Sequence, residues 1–168
     1  LHEAAVLMRD RFGGVVPDTE ADLRALPGVG EYTAAAVAAF AYQREVVVVD
    51  VNVRRLLSRV LTGREPAPSF TAAERALAEQ VHAGLEVPSP TWAAASMEFG
   101  ALVCTARSPR CGTCPLAPQC DWVPGQRVGR TQTYEGTDRQ ARGAVLAVLR
   151  VGPTDNFDWP DPAQLERA

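Results

Sequence analysis

The sequence predicts an all-α protein. Apolar residues recur at helical spacing in segment after segment, and Thr-x-x-Asp or Thr-x-x-Glu patterns open two of those segments as capping boxes. Only one run, residues 46–49 (four valines), favours a strand on β-propensity. With no second strand to pair its backbone groups, that run is read as extended chain rather than sheet.

The elements follow in order. Residues 1–12 place Ala5, Leu7, Met8 and Phe12 on helical spacings, and Gly13, Gly14 and Pro17 end the pattern. Thr19 with Asp22, an Asp standing in for the usual Glu, opens a short helix to about Ala25. Pro27-Gly28-Val29-Gly30 reads as a turn before an Ala-rich helix over 31–42. Residues 52–61 form a helix with Val53, Leu56, Leu57 and Val60 on one face. A loop over 63–69 leads to Thr71 and Glu74, a second capping box that starts a helix to about Ala83. Pro88 and Pro90 break the chain before a helix over 91–103. Residues 104–120 form a compact Cys/Pro loop, 121–137 a Gly- and polar-rich linker, and 138–150 a last clear helix.

Composition narrows the function classes. In 168 residues, 46% hydrophobic and 22% charged content suits a soluble globular domain, or one domain and part of another. It excludes disorder, collagen and coiled coil for the whole. No apolar run approaches the ~18–20 residues of a membrane span, and the acidic first residues do not resemble a signal peptide. The chain opens on Leu1 and stops at Ala168 inside an apparent helix, so both ends read as cut. A net charge of −3 speaks weakly against nucleic acid, but the charge is uneven: residues 104–142 hold 6 Arg against 3 acids. All 17 basic residues are Arg, with no Lys, a composition of GC-rich bacterial genomes.

Cys104, Cys111, Cys114 and Cys120 are the only cysteines, spaced C-x6-C-x2-C-x5-C. Disulfides suit small secreted domains, and structural zinc favours two C-x2–4-C knuckles where this loop has one. A [4Fe–4S] cluster needs four thiolates and no paired knuckles, so the spacing favours it, with zinc as the alternative. Arg107 and Arg110, inside the first cysteine loop, are candidates for phosphate contact; the bland reading is a solvated pair.

Between two predicted helices, Pro27, Gly28, Val29 and Gly30 could bring backbone amides and a helix N-terminus to a phosphate; a plain αα-turn is the alternative. Asp50 could cap helix 52–61, stabilise a cation, or do both.

Taken in order, LPGVGEYTA, VVDVNVRRLLSR and the cysteine loop resemble the helix-hairpin-helix base-excision DNA glycosylases with an iron–sulfur loop, across roughly residues 1–122. Endonuclease III-like members carry a Schiff-base lysine just after the hairpin; here that position is Tyr32. Tyr32 and the segment WAAASMEFGALVCTARSPRCGTCPLAPQC resemble the A/G-specific, MutY-like adenine glycosylases. The resemblance implies a helix-hairpin-helix glycosylase fold, partial here: domain residues 1–103, cluster loop 104–120 and, after the linker, a truncated C-terminal extension over 138–168. It implies a monofunctional enzyme hydrolysing the N-glycosidic bond of adenine opposite 8-oxoguanine or guanine, after extruding the base. Asp50 matches the catalytic aspartate, Asn52 the asparagine that orients groups around the sugar, and Tyr32 a residue lining the site. Gly28, Val29 and Gly30 match the phosphate-binding hairpin, and the four cysteines the [4Fe–4S] ligands.

The implied partner is double-stranded DNA with an adenine mispair, bound by a monomer in the bacterial cytoplasm, with no membrane role. Two rivals remain, an endonuclease III-like glycosylase for oxidised pyrimidines and a non-catalytic DNA-binding module. Two departures stand out. Val51 occupies the middle of a motif commonly D-G-N, and the family's general-acid glutamate matches neither Glu3 nor Glu31. On that reading this chain alone is inactive. The 138–168 segment resembles the short actinobacterial extension, a possible winged-helix start, rather than a Nudix-like domain. His82 reads as a surface or capping residue, and Trp122 as packing against the cysteine loop.

Overall fold

The computed structural model describes residues 1–125 and 135–152. The chain divides into two compact units, Leu1–Val128 and Gly129–Ala168. The described part of the first unit holds α1 (His2–Phe12), α2 (Glu20–Arg24), α3 (Glu31–Tyr42), α4 (Val51–Thr62), α5 (Ala72–Ala83) and α6 (Ser89–Leu102), then the cysteine loop with 3-10 turns at Cys111–Thr113 and Ala117–Gln119. The second unit holds α7 (Asp138–Leu149), capped by Thr137, whose hydroxyl accepts from the Gln140 amide. Residues 126–134 of the expected linker and the expected extension beyond 152 lie outside the described residues. The cysteine loop belongs to the same unit as the helices. Among the described residues no strand forms, and no helix is long and apolar enough to cross a membrane.

The valine run has a physical explanation that needs no sheet. Residues 43–50 run without regular structure from α3 to α4. Val46 and Val48 pack with Ala35, Ala39 and Ala93, between α3 and α6. Val47 and Val49 turn the other way, onto Val53, Leu57 and Ala78 of α4 and α5. A period of two with both faces packed selects β-branched residues, as in an inner strand, while the backbone lacks a ladder. Near its start the segment is pinned by Glu45, whose carboxylate accepts from the Ser89 amide at 3.0 Å and from the Ser89 hydroxyl. His82 of α5 bonds the same hydroxyl, so its role is structural.

One boundary and one cap differ from expectation in ways that have a physical reason. Helix α6 begins at Ser89 rather than Thr91, with Pro90 in its first turn, where a missing N–H costs nothing. The Thr19 hydroxyl caps the Asp22 amide, but the Asp22 carboxylate accepts from that hydroxyl instead of reaching back to the backbone. Asp is one methylene short of Glu, and the box stays half-made. At α5 the box is complete: the Thr71 hydroxyl accepts from the Glu74 amide and the Glu74 carboxylate from the Thr71 amide.

Candidate active site

Asp50 stands where the valine segment meets α4. Its Oδ1 accepts from the Asn52 amide at 2.8 Å and the Val53 amide at 2.7 Å, an N-cap that fixes the carboxylate against the helix. Its Oδ2 accepts from Asn52 Nδ2 at 2.7 Å. Val51 sits exposed in the first turn with ordinary helical geometry, and among the described residues only Gln43 is a non-glycine with positive φ. The position between Asp and Asn therefore needs no glycine, and Val51 is accommodated.

Asn52 is held in turn. Its Oδ1 accepts from Arg55 Nη2 at 2.8 Å, and that same nitrogen donates to the Gly100 carbonyl at 2.6 Å. Arg55 Nε donates to the Cys104 carbonyl at 2.7 Å. A continuous hydrogen-bonded path thus runs from the Asp50 carboxylate through Asn52 and Arg55 to the first cysteine. Arg55 is 8% exposed; burial, then the nearby Arg59, lowers its pKa, and Cys104, Asp50 and Glu65 oppose this. Helix α6 lies against this corner because residue 100 is glycine: a Cβ there would fall 2.7 Å from the Asn52 Cβ.

The hairpin is built differently. Leu26 is buried and Val29 packs on Ala4, Leu23, Ala34 and Ala38, while Pro27, Gly28 and Gly30 face outward. Gly28 has φ +78, and nothing lies within 4 Å of a Cβ built there or at Gly30. Gly30 occupies the N-cap of α3 without a side chain to cap it, so the first-turn amides point out from an open surface. The Val29 amide donates to the Leu26 carbonyl at 3.1 Å and closes the turn. Tyr32, 44% exposed, lines a small pocket with Phe70, Val47 and Val49, the residue before Asp50. Glu31 pairs with Arg75, whose guanidinium lies over the Phe70 ring, tying α3 to α5.

All four cysteines are free and line one cavity of about 170 Å³ with Arg59, Phe99 and Trp122. Burial, then the Cys104, Cys114 and Cys120 sulfurs, pushes the Cys111 thiol up, so the four sit within electrostatic reach. The indole N–H of Trp122 is buried without an acceptor. Thiols around a shared cavity of that size, with an unused donor on a residue of its wall, fit a multi-iron group with acceptor sulfides. Arg107 and Arg110 are exposed on the loop, and Arg110 also borders the cavity.

The sequence reading missed Arg55, Arg59, Glu65 and Gly100. The available signal was Arg55 and Arg59 one turn apart, beside the apolar stripe of Val53, Leu56 and Leu57, with no acid four residues either way.

Comparisons with known proteins agree with this geometry. A model described as "Helix-hairpin-helix motif" matches residues 11–40, and one described as "Iron-sulfur binding domain of endonuclease III" matches residues 104–120. The adenine DNA glycosylase of Mycolicibacterium smegmatis is 46% identical over all of this chain and 60% of its own length. The human adenine DNA glycosylase is 38% identical over 71% of this chain and 22% of its own length. A thermostable thymine-DNA glycosylase superposes with a TM-score of 0.62 at 29% identity, covering 71% of this chain and 55% of that one. An endonuclease III–DNA complex gives 0.53 at 28% identity, covering 68% of this chain and 52% of that one. The chain spans about three-fifths of the length of its mycobacterial relatives. The iron–sulfur match covers all four cysteines of the loop, which points to a [4Fe–4S] cluster as the cofactor, and Cys104, Cys111, Cys114 and Cys120 are the residues present that would hold it. Over its whole length the chain is similar to MutY-like adenine DNA glycosylases, and two of its segments match a helix-hairpin-helix motif and an iron–sulfur domain.

Proposed function

We propose that this chain carries the aspartate and the DNA-gripping surfaces of an adenine DNA glycosylase acting on adenine opposite 8-oxoguanine or guanine. The observation that carries the reading is Asp50. Three hydrogen bonds hold its carboxylate in one orientation at the start of α4, beside the Tyr32 pocket. In hydrolysis the C1′–N9 bond breaks, its electron pair leaves with adenine, and the sugar becomes cationic. Adenine takes up a proton, and water gives its oxygen to C1′ and releases a proton. A fixed carboxylate stabilises that cation, and one already oriented need not reorganise as the charge develops. Asn52 and Arg55 are positioning residues: they hold the carboxylate and do not exchange protons with the substrate.

The hairpin amides of Gly28, Gly30 and Glu31, with Arg107 and Arg110, receive DNA phosphates on two surfaces, while the Val29 amide closes the turn onto the Leu26 carbonyl. Bound at the four cysteines, the cluster supplies cross-linking that fixes the loop carrying those arginines. With no lysine in the chain, strand cleavage by a lysine Schiff base is absent from these residues, supporting the monofunctional reading.

The test is single-turnover base release by the intact protein on duplexes with adenine opposite 8-oxoguanine or with thymine glycol. Asp50→Asn should slow adenine release by roughly 10²–10³-fold or more while duplex affinity stays unchanged. Release of thymine glycol instead would transfer the protein to the endonuclease III side. An unaffected Asp50→Asn would reduce Asp50 to a helix cap.

A further inference from the structure

Base release makes no use of Arg59, although it is only 1% exposed. Its Nη1 donates to the Cys104 sulfur at 3.5 Å and to the Thr105 carbonyl at 2.8 Å. Its Nη2 donates to Glu65 Oε1 at 2.7 Å and to the Ala106 carbonyl at 3.4 Å, and its Nε to the same carboxylate oxygen at 3.1 Å. The guanidinium stacks on Trp122, 3.9 Å from the ring centre. At the other end of the residue, the Arg59 carbonyl accepts from the Cys120 thiol at 3.6 Å. One residue therefore touches the first and the last cysteine of the set.

Holding the loop does not require a charge opposite a sulfur. Thr105 and Ala106 carbonyls would be satisfied by any donor, whereas an N–H···S bond from a buried cation acts on the electrons of the ligand. Glu65, 15% exposed on its side chain, faces the same guanidinium and partly cancels its field.

We propose that the Arg59–Glu65 pair sets the reduction potential of the [4Fe–4S] group: Arg59 favours the reduced state through the Cys104 sulfur, and Glu65 tempers it. The inference rests on the cluster assignment. One-electron reduction adds a negative charge shared with the cysteine sulfurs, the electron coming from an electrode or mediator. A cation in low dielectric stabilises that state more than the oxidised one, and a nearby carboxylate does the opposite.

The measurement is the one-electron midpoint potential of the cluster-loaded chain by spectroelectrochemistry, with iron and sulfide content as the check on loading. Glu65→Gln keeps the shape and removes the countercharge; the midpoint should move to more positive potential at unchanged iron content. Arg59→Lys keeps the charge and loses the fork, and its midpoint should lie between those of the parent and Arg59→Gln. If the Arg59 variants fail to load iron, Glu65→Gln decides alone. A purely structural clamp predicts no shift in that variant, so a midpoint unmoved or lowered at full iron content overturns the inference. A chain that takes up zinc and no iron overturns the cluster assignment beneath it.

Discussion

The hairpin and the junction of α4, α6 and the cysteine loop solve opposite packing problems. Around the hairpin the core is alanine: Ala34 and Ala38 are fully buried against Ala4, Leu23 and Leu26, and small side chains let short helices approach closely. What faces outward there is backbone. At the junction the buried elements are Arg55 and Arg59, which satisfy carbonyls at Gly100, Cys104, Thr105 and Ala106 that the irregular loop and the end of α6 leave without helical partners. A phosphate-binding turn can rest on non-directional packing, because its recognition groups are main-chain amides. A catalytic carboxylate must be aimed, and directional bonds from a planar fork do that.

This contrast is sharpest if both faces are broken. Arg55→Leu orphans the Gly100 and Cys104 carbonyls and Asn52 Oδ1 at once. At roughly 1–3 kcal/mol per buried unsatisfied group, the expected loss is about 3 kcal/mol or more. Thermal unfolding of the loaded chain would show it, together with reduced iron content, and Arg55→Lys should recover only part. An unchanged melting temperature would mean water takes over those carbonyls and the junction is not a specific lock. Next in size is Gly100→Ala. The added methyl would meet Asn52 Cβ at 2.7 Å and Asn52 O at 3.0 Å, so helices must part. Overpacking of this kind costs about 1–3 kcal/mol, and because Asn52 moves, base release should fall by more than stability alone explains.

A smaller effect lies at α5, where Arg54 Nη2 and the Thr71 and Ala67 amides converge on Glu74. Burial pushes the Glu74 carboxyl up, but the Thr71 amide, Arg54 and the Ala67 amide outweigh it and hold it below the usual carboxylate range. A carboxyl lowered in the folded state contributes stability above its unfolded pKa, and that contribution is lost as pH falls through the folded one. Glu74→Gln should therefore flatten the acid limb of the stability curve and leave the neutral region lower. Thr71→Ala removes the reciprocal half of the box and should cost about 1 kcal/mol at neutral pH.

The elements were legible wherever a local rule governed them. The Thr71–Glu74 box, the Pro27–Gly30 turn and the apolar stripe of α4 each involve residues within a few positions of one another. The valine run obeys the same logic: a ladder needs a partner strand, and residues 43–50 form none. What stayed hidden was set by contacts across long separations. Arg55 reaches residues 100 and 104, and Arg59 reaches 104 to 106 and Trp122. On a helical wheel they look like solvated charges beside an apolar face. Gly100 likewise looks like an ordinary helix interruption until Asn52 is found against it.

The finest distinction concerns the two hairpin glycines. Gly28 sits at φ +78, where an L side chain is strained, so Gly28→Ala should cost about 1 kcal/mol or somewhat more in stability. Gly30 has φ −83 and open space where a Cβ would go, so Gly30→Ala should cost only a few tenths to about 0.5 kcal/mol, the difference between Gly and Ala at an N-cap. If the open space belongs to a DNA phosphate, the methyl intrudes there and nowhere else. Duplex affinity should then fall several-fold in Gly30→Ala while its melting temperature hardly moves, a separation that no variant at the Arg55 junction can show. Equal affinity in the parent and Gly30→Ala would mean that phosphate approaches the hairpin from another side, and that the glycine serves the turn alone.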